Sequence, residues 1–246
     1  MKNGMIEIGC VAALGVWLAM SSGCGREPDA PFPSRPAGAP LVLVTTASTP
    51  PYSYRDAASG EIVGIEIDIV RAAAEKLGRT LEIRKAKFPE LLPMVCEGAA
   101  DMAASGITIT EGRRQTVDFT VPYATEGGMF LYRAADPMPT MNRALTLRVA
   151  TMDASTYDFY LCAHEIDSIR YDFVTQAVED LKGGRVDTVF YDSSAVKQIA
   201  ADSGGTLAAS RLETRENFGI AIRKGDLALK AALDEAIAAR RAKWSP

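Results

Sequence analysis

The chain has 246 residues, 48% of them hydrophobic and 24% charged, with a net charge of −4 and a pI near 5.2. That is enough apolar material for a substantial core in one or two domains. The acidic balance argues against a nucleic-acid partner, and the composition is neither collagenous, coiled-coil nor broadly disordered.

The chain opens with a leader. Val11 to Met20 is a short apolar run, about half the length that a membrane-spanning helix needs, and it reads as the core of a signal peptide. It ends at Ser21-Ser22-Gly23-Cys24, which resembles a bacterial lipobox with Ser21 where leucine is usual. On that reading residues 1–23 are removed and Cys24 is lipidated. Five prolines between residues 25 and 40 exclude regular structure, so 24–40 reads as an extended tether holding the folded body off a membrane.

From residue 41 strand-like and helix-like segments alternate. Leu41–Thr46 is an apolar, β-branched strand and Tyr52–Ile62 is turn-rich. Asp68–Leu77 carries Ile69, Ala72, Ala73 and Leu77 on one helical face, with Gly78 as its stop. Leu81–Lys85 alternates as a strand, Pro89 suits the first turn of a helix ending at Gly98, and Asp101–Gly106 is another strand. Strands follow at Met129–Arg133 and Leu145–Thr151, then a helix at Thr156–His164 and a strand at Ile169–Val174. Gln176–Lys182 and Ala195–Ala201 read as helices around a strand at Asp187–Tyr191. Strands near Thr206–Ala209 and Phe218–Arg223 precede a final helix at Leu227–Lys243. This alternation implies an α/β protein with parallel or mixed sheets.

One internal echo points to two lobes of related build. Gly98-Ala99-Ala100-Asp101 leads into a strand ending at Gly106, and Gly184-Arg185-Val186-Asp187 into one ending at Asp192. Ligands gather at the carboxyl ends of strands in open α/β sheets, so Gly106 and Asp192 are candidate site positions. Cys96 and Cys162 fall in different lobes and are expected as small core residues without a bridge. No Cys, His and carboxylate cluster has metal-ligand spacing, and no phosphate-cradling glycine loop is present, so neither metal nor other cofactor is expected.

Seven segments in order resemble the bacterial extracellular solute-binding proteins of family 3, the polar-amino-acid receptors of ABC importers. They are Thr49-Pro50-Pro51-Tyr52-Ser53-Tyr54, Gly64-Ile65-Glu66-Ile67-Asp68, Leu91-Leu92-Pro93, and Ser105-Gly106-Ile107-Thr108-Ile109-Thr110 with Arg113. The others are Val117-Asp118-Phe119-Thr120-Val121-Pro122-Tyr123, Gly184-Arg185-Val186-Asp187 with Asp192, and Phe218-Gly219-Ile220-Ala221-Ile222-Arg223-Lys224-Gly225. The resemblance covers about residues 42–243. It implies a two-lobe type II periplasmic-binding-protein fold with two hinge strands: lobe 1 at 41–126 with 218–246, lobe 2 at 127–217, and crossings near Gly127-Gly128 and Glu216-Asn217.

It also implies a function and a site. The chain is expected to be a monomeric, lipid-anchored periplasmic or extracytoplasmic receptor that captures an amino acid and delivers it to a permease, without catalysis. Arg113 would hold the ligand carboxylate, helped by Thr108 and backbone N–H groups near Gly106, and Asp192 from the other lobe would take the ammonium. Phe88, Tyr52, Thr49, Ser155 and Thr156 complete the expected contacts. Thr49 replaces a usual aromatic, and Met152-Asp153-Ala154-Ser155-Thr156 replaces a segment resembling Q-x-G-T-T. The uncharged set Thr49, Phe88, Ser155, Thr156 and Tyr191 leans toward a neutral ligand side chain. The alternatives are a cyclohexadienyl or prephenate dehydratase on the same scaffold, with Asp153 or Glu126 as acid, and a sensory lipoprotein.

Overall fold

A computed structural model describes residues 38–244 of the chain. The expected leader and lipidated Cys24 lie outside the described residues, as does all of the tether before Gly38.

Two five-stranded sheets form the two lobes. The first contains β1 (Leu41–Thr45), β5 (Leu81–Lys85), β6 (Met102–Ala103), β7 (Asp118–Phe119) and β15 (Ala221–Ile222), in the order β5-β1-β6-β15-β7. The second contains β9 (Gly128–Arg133), β10 (Val149–Met152), β11 (Ser168–Tyr171), β12 (Thr188–Asp192) and β13 (Leu207–Leu212), in the order β11-β10-β12-β9-β13. In each sheet three neighbouring strands run parallel and the fourth is antiparallel to both of its neighbours. The echo seen in the sequence is therefore a repeated sheet order.

The echoed aspartates do the same work in both lobes. Asp101 Oδ2 accepts the Val42 N–H at 2.8 Å, and Asp187 Oδ2 accepts the Arg148 N–H at 2.8 Å. Each clamps the start of the neighbouring central strand. Each also meets a guanidinium, Arg223 at 2.8 Å for Asp101 and Arg148 at 2.7 Å for Asp187.

Two strands join the lobes. β8 (Ala124–Glu126) leads out of the first sheet and β14 (Glu216–Phe218) leads back, paired antiparallel with Glu216 opposite Glu126. A small sheet of β2 (Ser48–Thr49), β3 (Ser53–Arg55) and β4 (Ile62–Val63) precedes the first helix.

The helices cover the sheets. α1 (Ile65–Lys76) buries Ile67, Ile69, Val70, Ala73 and Ala74 and packs along α8 (Leu227–Trp244). Gly64 fixes where α1 begins, because its φ is +127° and a Cβ there would stand 2.2 Å from the Tyr52 carbonyl oxygen. α2 (Phe88–Cys96) starts with Pro89 in its first turn as expected, where the missing N–H costs nothing. Leu91 and Val95 on this helix are fully buried, each worth about 1.5–3 kcal/mol. The short α3 (Glu111–Arg114) and α4 (Met141–Ala144) follow strand ends. α5 (Thr156–Ala163), α6 (Val174–Lys182) and α7 (Ser193–Asp202) belong to the second lobe. Cys162 is half-buried on α5 and Cys96 is buried on α2.

Some expected boundaries move. The strand expected at Asp101–Gly106 pairs over Met102–Ala103, with a last bond from the Ala104 N–H to the Val44 carbonyl at 3.1 Å, and Ser105-Gly106 turn away toward the cleft. The strand expected from Leu145 begins at Val149, because Thr140 caps α4 through the Arg143 N–H. The strand expected over Phe218–Arg223 is two strands, β14 and β15, since the chain changes sheets at Gly219-Ile220.

Candidate functional site

The cleft lies between the carboxyl ends of β6 and β12 and is backed by the hinge strands. Arg113 sits in α3, whose N-terminus is fixed by the Thr110 hydroxyl accepting the Arg113 N–H. Its Nη1 donates to the Thr108 carbonyl at 2.9 Å, and its guanidinium lies 5.5 Å from the Phe88 ring centroid. Burial lowers the Arg113 pKa to about 10, and the Glu216 carboxylate opposes that shift. The guanidinium thus stays charged at neutral pH.

Asp192 ends β12 and is 2% exposed. It occupies the N-cap position of α7, but its side chain makes no capping hydrogen bond. Its carboxyl therefore remains in the cleft. A Cβ added at Gly106 would lie 3.2 Å from Asp192 Oδ2, which brings the two echo positions together. Burial, together with the nearby Glu126, Glu216 and Glu66, pushes the Asp192 pKa well above the usual carboxylate range.

The remaining expected residues divide into two sets. Thr108 and Thr156 meet across the lobes, with their hydroxyl oxygens 3.2 Å apart, and both donate to Glu216 Oε2. The Thr49 hydroxyl pairs with the Tyr191 hydroxyl at 2.9 Å, also across the lobes. Phe88 is buried against Arg113. The other set is partly occupied structurally. The Ser155 hydroxyl caps α5 by accepting the Asp158 N–H at 3.1 Å. The Gly106 N–H donates to Glu66 Oε1 at 2.9 Å. Tyr52 donates its hydroxyl to Glu126.

Three carboxyl groups outside the expected amino-acid contacts reach this region, of which the sequence reading named Glu126 only as the acid of the dehydratase alternative. Glu126, on β8, takes hydrogen bonds from Tyr52, from the Ser193 and Ser194 hydroxyls, and from the Ser194 N–H at 3.0 Å. Glu216, on β14, takes the two threonine hydroxyls. Glu66, on α1, is wholly buried and accepts from Gly106 and from the Tyr123 hydroxyl. The uncharged pocket read from the sequence therefore has acids beside it: Glu126, Glu216 and Glu66 lie near Asp192, and Glu216 lies near Arg113. The position of Glu66 in the segment resembling G-F-D-V-D was the one signal available for it.

The lobes also touch at the rim. Lys87 Nζ and Asp172 Oδ2 are 2.8 Å apart, and Lys85 Nζ lies 4.1 Å from the Phe173 ring centroid. Half-exposed pairs of this kind add little energy.

Comparison with known proteins fits this geometry. The sequence pattern described as "Bacterial extracellular solute-binding proteins, family 3" matches residues 41–244. The chain belongs to that family. It is 27% identical to a "Probable histidine-binding protein" of Neisseria gonorrhoeae, over 89% of this chain and 85% of the relative. It is 28% identical to the "ABC transporter arginine-binding protein 1" of Escherichia coli (strain K12), over 80% of this chain and 83% of the relative. Among solved structures, the arginine-bound form of truncated ArgBP from T. maritima superposes with a TM-score of 0.78 at 30% identity, covering 83% of this chain and 97% of that one. The fold of this family 3 protein is accordingly the type II two-lobe arrangement expected from its motifs.

Proposed function

We propose that this family 3 protein is the extracytoplasmic receptor of an ABC importer and that its ligand is a basic amino acid such as L-arginine. The observation that carries the ligand class is the charge balance of the cleft, where Glu66, Glu126 and Glu216 lie near Asp192 and Arg113 is the cation beside Glu216. An amino acid with a neutral side chain supplies one negative and one positive group and leaves that balance unchanged. A cationic side chain reduces the surplus of carboxyl groups, and burial in a low-dielectric site makes this reduction valuable.

Placement supports the following roles. Arg113 holds the ligand carboxylate by a two-point fork, with the Thr108 and Thr156 hydroxyls beside it. Asp192 takes the α-ammonium. Phe88 and Tyr52 supply aromatic walls, and Thr49 and Ser155 line the contact between the lobes. Because Arg113 and Asp192 stand on opposite lobes, only lobes brought together satisfy both ends of the ligand, so closure reports occupancy. We read the chain as a non-catalytic monomer anchored through Cys24; the leader sequence alone supports the anchor.

Thermal unfolding of the full chain against L-arginine, L-lysine, L-histidine, L-glutamine, L-glutamate and prephenate tests this reading. A ligand that binds only the folded state adds about 2.7 kcal/mol of stability at a hundredfold excess over its Kd. A raised midpoint with the basic amino acids is expected. A shift only with neutral or acidic ones would overturn the ligand class, and turnover of prephenate would overturn the receptor reading.

A further inference from the structure

Glu216 already holds the hydroxyl donors that the roles above give to the ligand's carboxylate. Its Oε2 accepts from the Thr156 hydroxyl at 2.6 Å and from the Thr108 hydroxyl. The two hydroxyls come from opposite lobes, with their oxygens 3.2 Å apart. Thr156 opens α5, a helix end that favours negative charge. The Glu216 carboxylate is also close enough to Arg113 to oppose the fall in its pKa. An amino acid's carboxylate asks for the same set, a guanidinium with hydroxyl donors beside it.

The hinge itself does not need this side chain. β14 and β8 are held together by their own backbone pairing from Glu216 to Phe218. The half-buried Glu216 side chain instead reaches one hydroxyl of each lobe at once, as a bound ligand would. The cationic end of a ligand is served elsewhere, by Asp192 beside the Tyr157 phenol of α5. Two carboxylates on one pair of hydroxyls repel each other. A ligand carboxylate must therefore turn the Glu216 side chain out before it takes both hydroxyls.

We propose that Glu216 is a specificity-determining residue that stands in for the ligand's carboxylate, so that the cleft also accepts organic cations that carry no carboxylate. A ligand with a carboxylate displaces Glu216 and loses part of its affinity in doing so. A site that is open only a fraction of the time binds more weakly by that fraction, so a seat self-occupied nine-tenths of the time weakens binding about tenfold. A cation without a carboxylate, such as the decarboxylated arginine agmatine, binds with Glu216 left in place and Arg113 still balanced. This inference rests on the basic-amino-acid reading and widens its ligand class to amines and guanidines.

The test is calorimetry on the full chain with two probes, L-arginine and agmatine. Glu216→Gln keeps an acceptor for the threonine hydroxyls and removes the charge that balances Arg113. Wild-type protein is expected to bind agmatine within about tenfold of L-arginine. Glu216→Gln is expected to bind L-arginine roughly three- to tenfold more tightly and agmatine roughly threefold or more weakly, so the probes move in opposite directions. A wild-type preference for L-arginine of about 100-fold or more would show a seat kept for the ligand and would overturn the inference whether or not the variant folds. A variant that shifts both probes alike, leaves both unchanged or favours agmatine would overturn it too, with the receptor reading intact. Failure of wild-type protein to bind L-arginine would instead sink the basic-amino-acid reading, and this inference with it.

Discussion

At the scale of single residues, the site depends on one cation. Arg113 lies near the Glu216 carboxylate, and its guanidinium fork is oriented by the Thr108 carbonyl and flanked by the Phe88 ring. Truncating one partner of a buried, hydrogen-bonded charge pair costs about 2–5 kcal/mol. Arg113→Ala is therefore expected to weaken amino-acid binding by roughly 30-fold or more, read by calorimetry, while the unfolding midpoint without ligand changes little. Arg113→Lys should recover only part of the loss, because an ammonium cannot form the planar two-point contact. An alanine variant that binds like wild type would remove Arg113 from the site. Arg113 and Asp192 were legible in the sequence because they sit at fixed offsets in recognisable segments. Glu216 and Tyr157 were not, and Glu126 was named only as the acid of the dehydratase alternative. Glu126 and Glu216 look like ordinary polar positions on hinge strands, and Tyr157 looks like a core aromatic on a helix. Only their convergence, over separations of 60 residues for Thr156 and Glu216 and 108 for Thr108 and Glu216, gives them a place in the cleft.

At the scale of elements, the order of strands and helices was legible and the hinge was the weak point. Leu81–Lys85 was read to the residue because it is a clean alternating strand next to a strong one. Phe218–Arg223 was read as one strand because hydrophobicity continues across it, while the chain changes sheets inside it. The hinge has its own steric signature. At Gly127 an added Cβ would stand 1.8 Å from the Thr214 carbonyl oxygen, a backbone atom that cannot rotate away. The Gly128 N–H donates to the Thr214 hydroxyl at 2.7 Å, so the two crossings are held tightly together. Gly127→Ala must push them apart. A cost of about 1–3 kcal/mol is expected, as for overpacking in a core, read as a lower midpoint of chemical unfolding. Loss of amino-acid affinity should accompany it, because the same strands carry Glu126 and Glu216. A variant as stable as wild type would show that this crossing can yield.

For the whole molecule, two carboxyl arrangements, one at the surface and one buried in the cleft, pull stability in opposite directions with pH. The Arg148 guanidinium holds the Asp187 pKa down at about 2. A depressed folded-state pKa gives stability that is present above the unfolded value, about 3.9, and is lost as pH falls toward the folded one. Asp192 and Glu66 are the reverse. Their folded pKa values are raised by burial, so the stability they give is complete below the unfolded value and is lost as pH rises through the raised folded ones. The protein without ligand should then lose stability as pH falls below about 4 through Asp187 and as pH rises above about 4 through the cleft acids. Asp187→Asn should flatten the acid limb of a plot of unfolding midpoint against pH, and Asp192→Asn the other limb. L-arginine should act like Asp192→Asn on that upper limb, since a bound cation meets the same uncompensated charge that the amide removes. Parallel upper limbs for wild type and Asp192→Asn would show that the cleft acids are compensated within the protein, and the charge argument for a basic ligand would fall with that result.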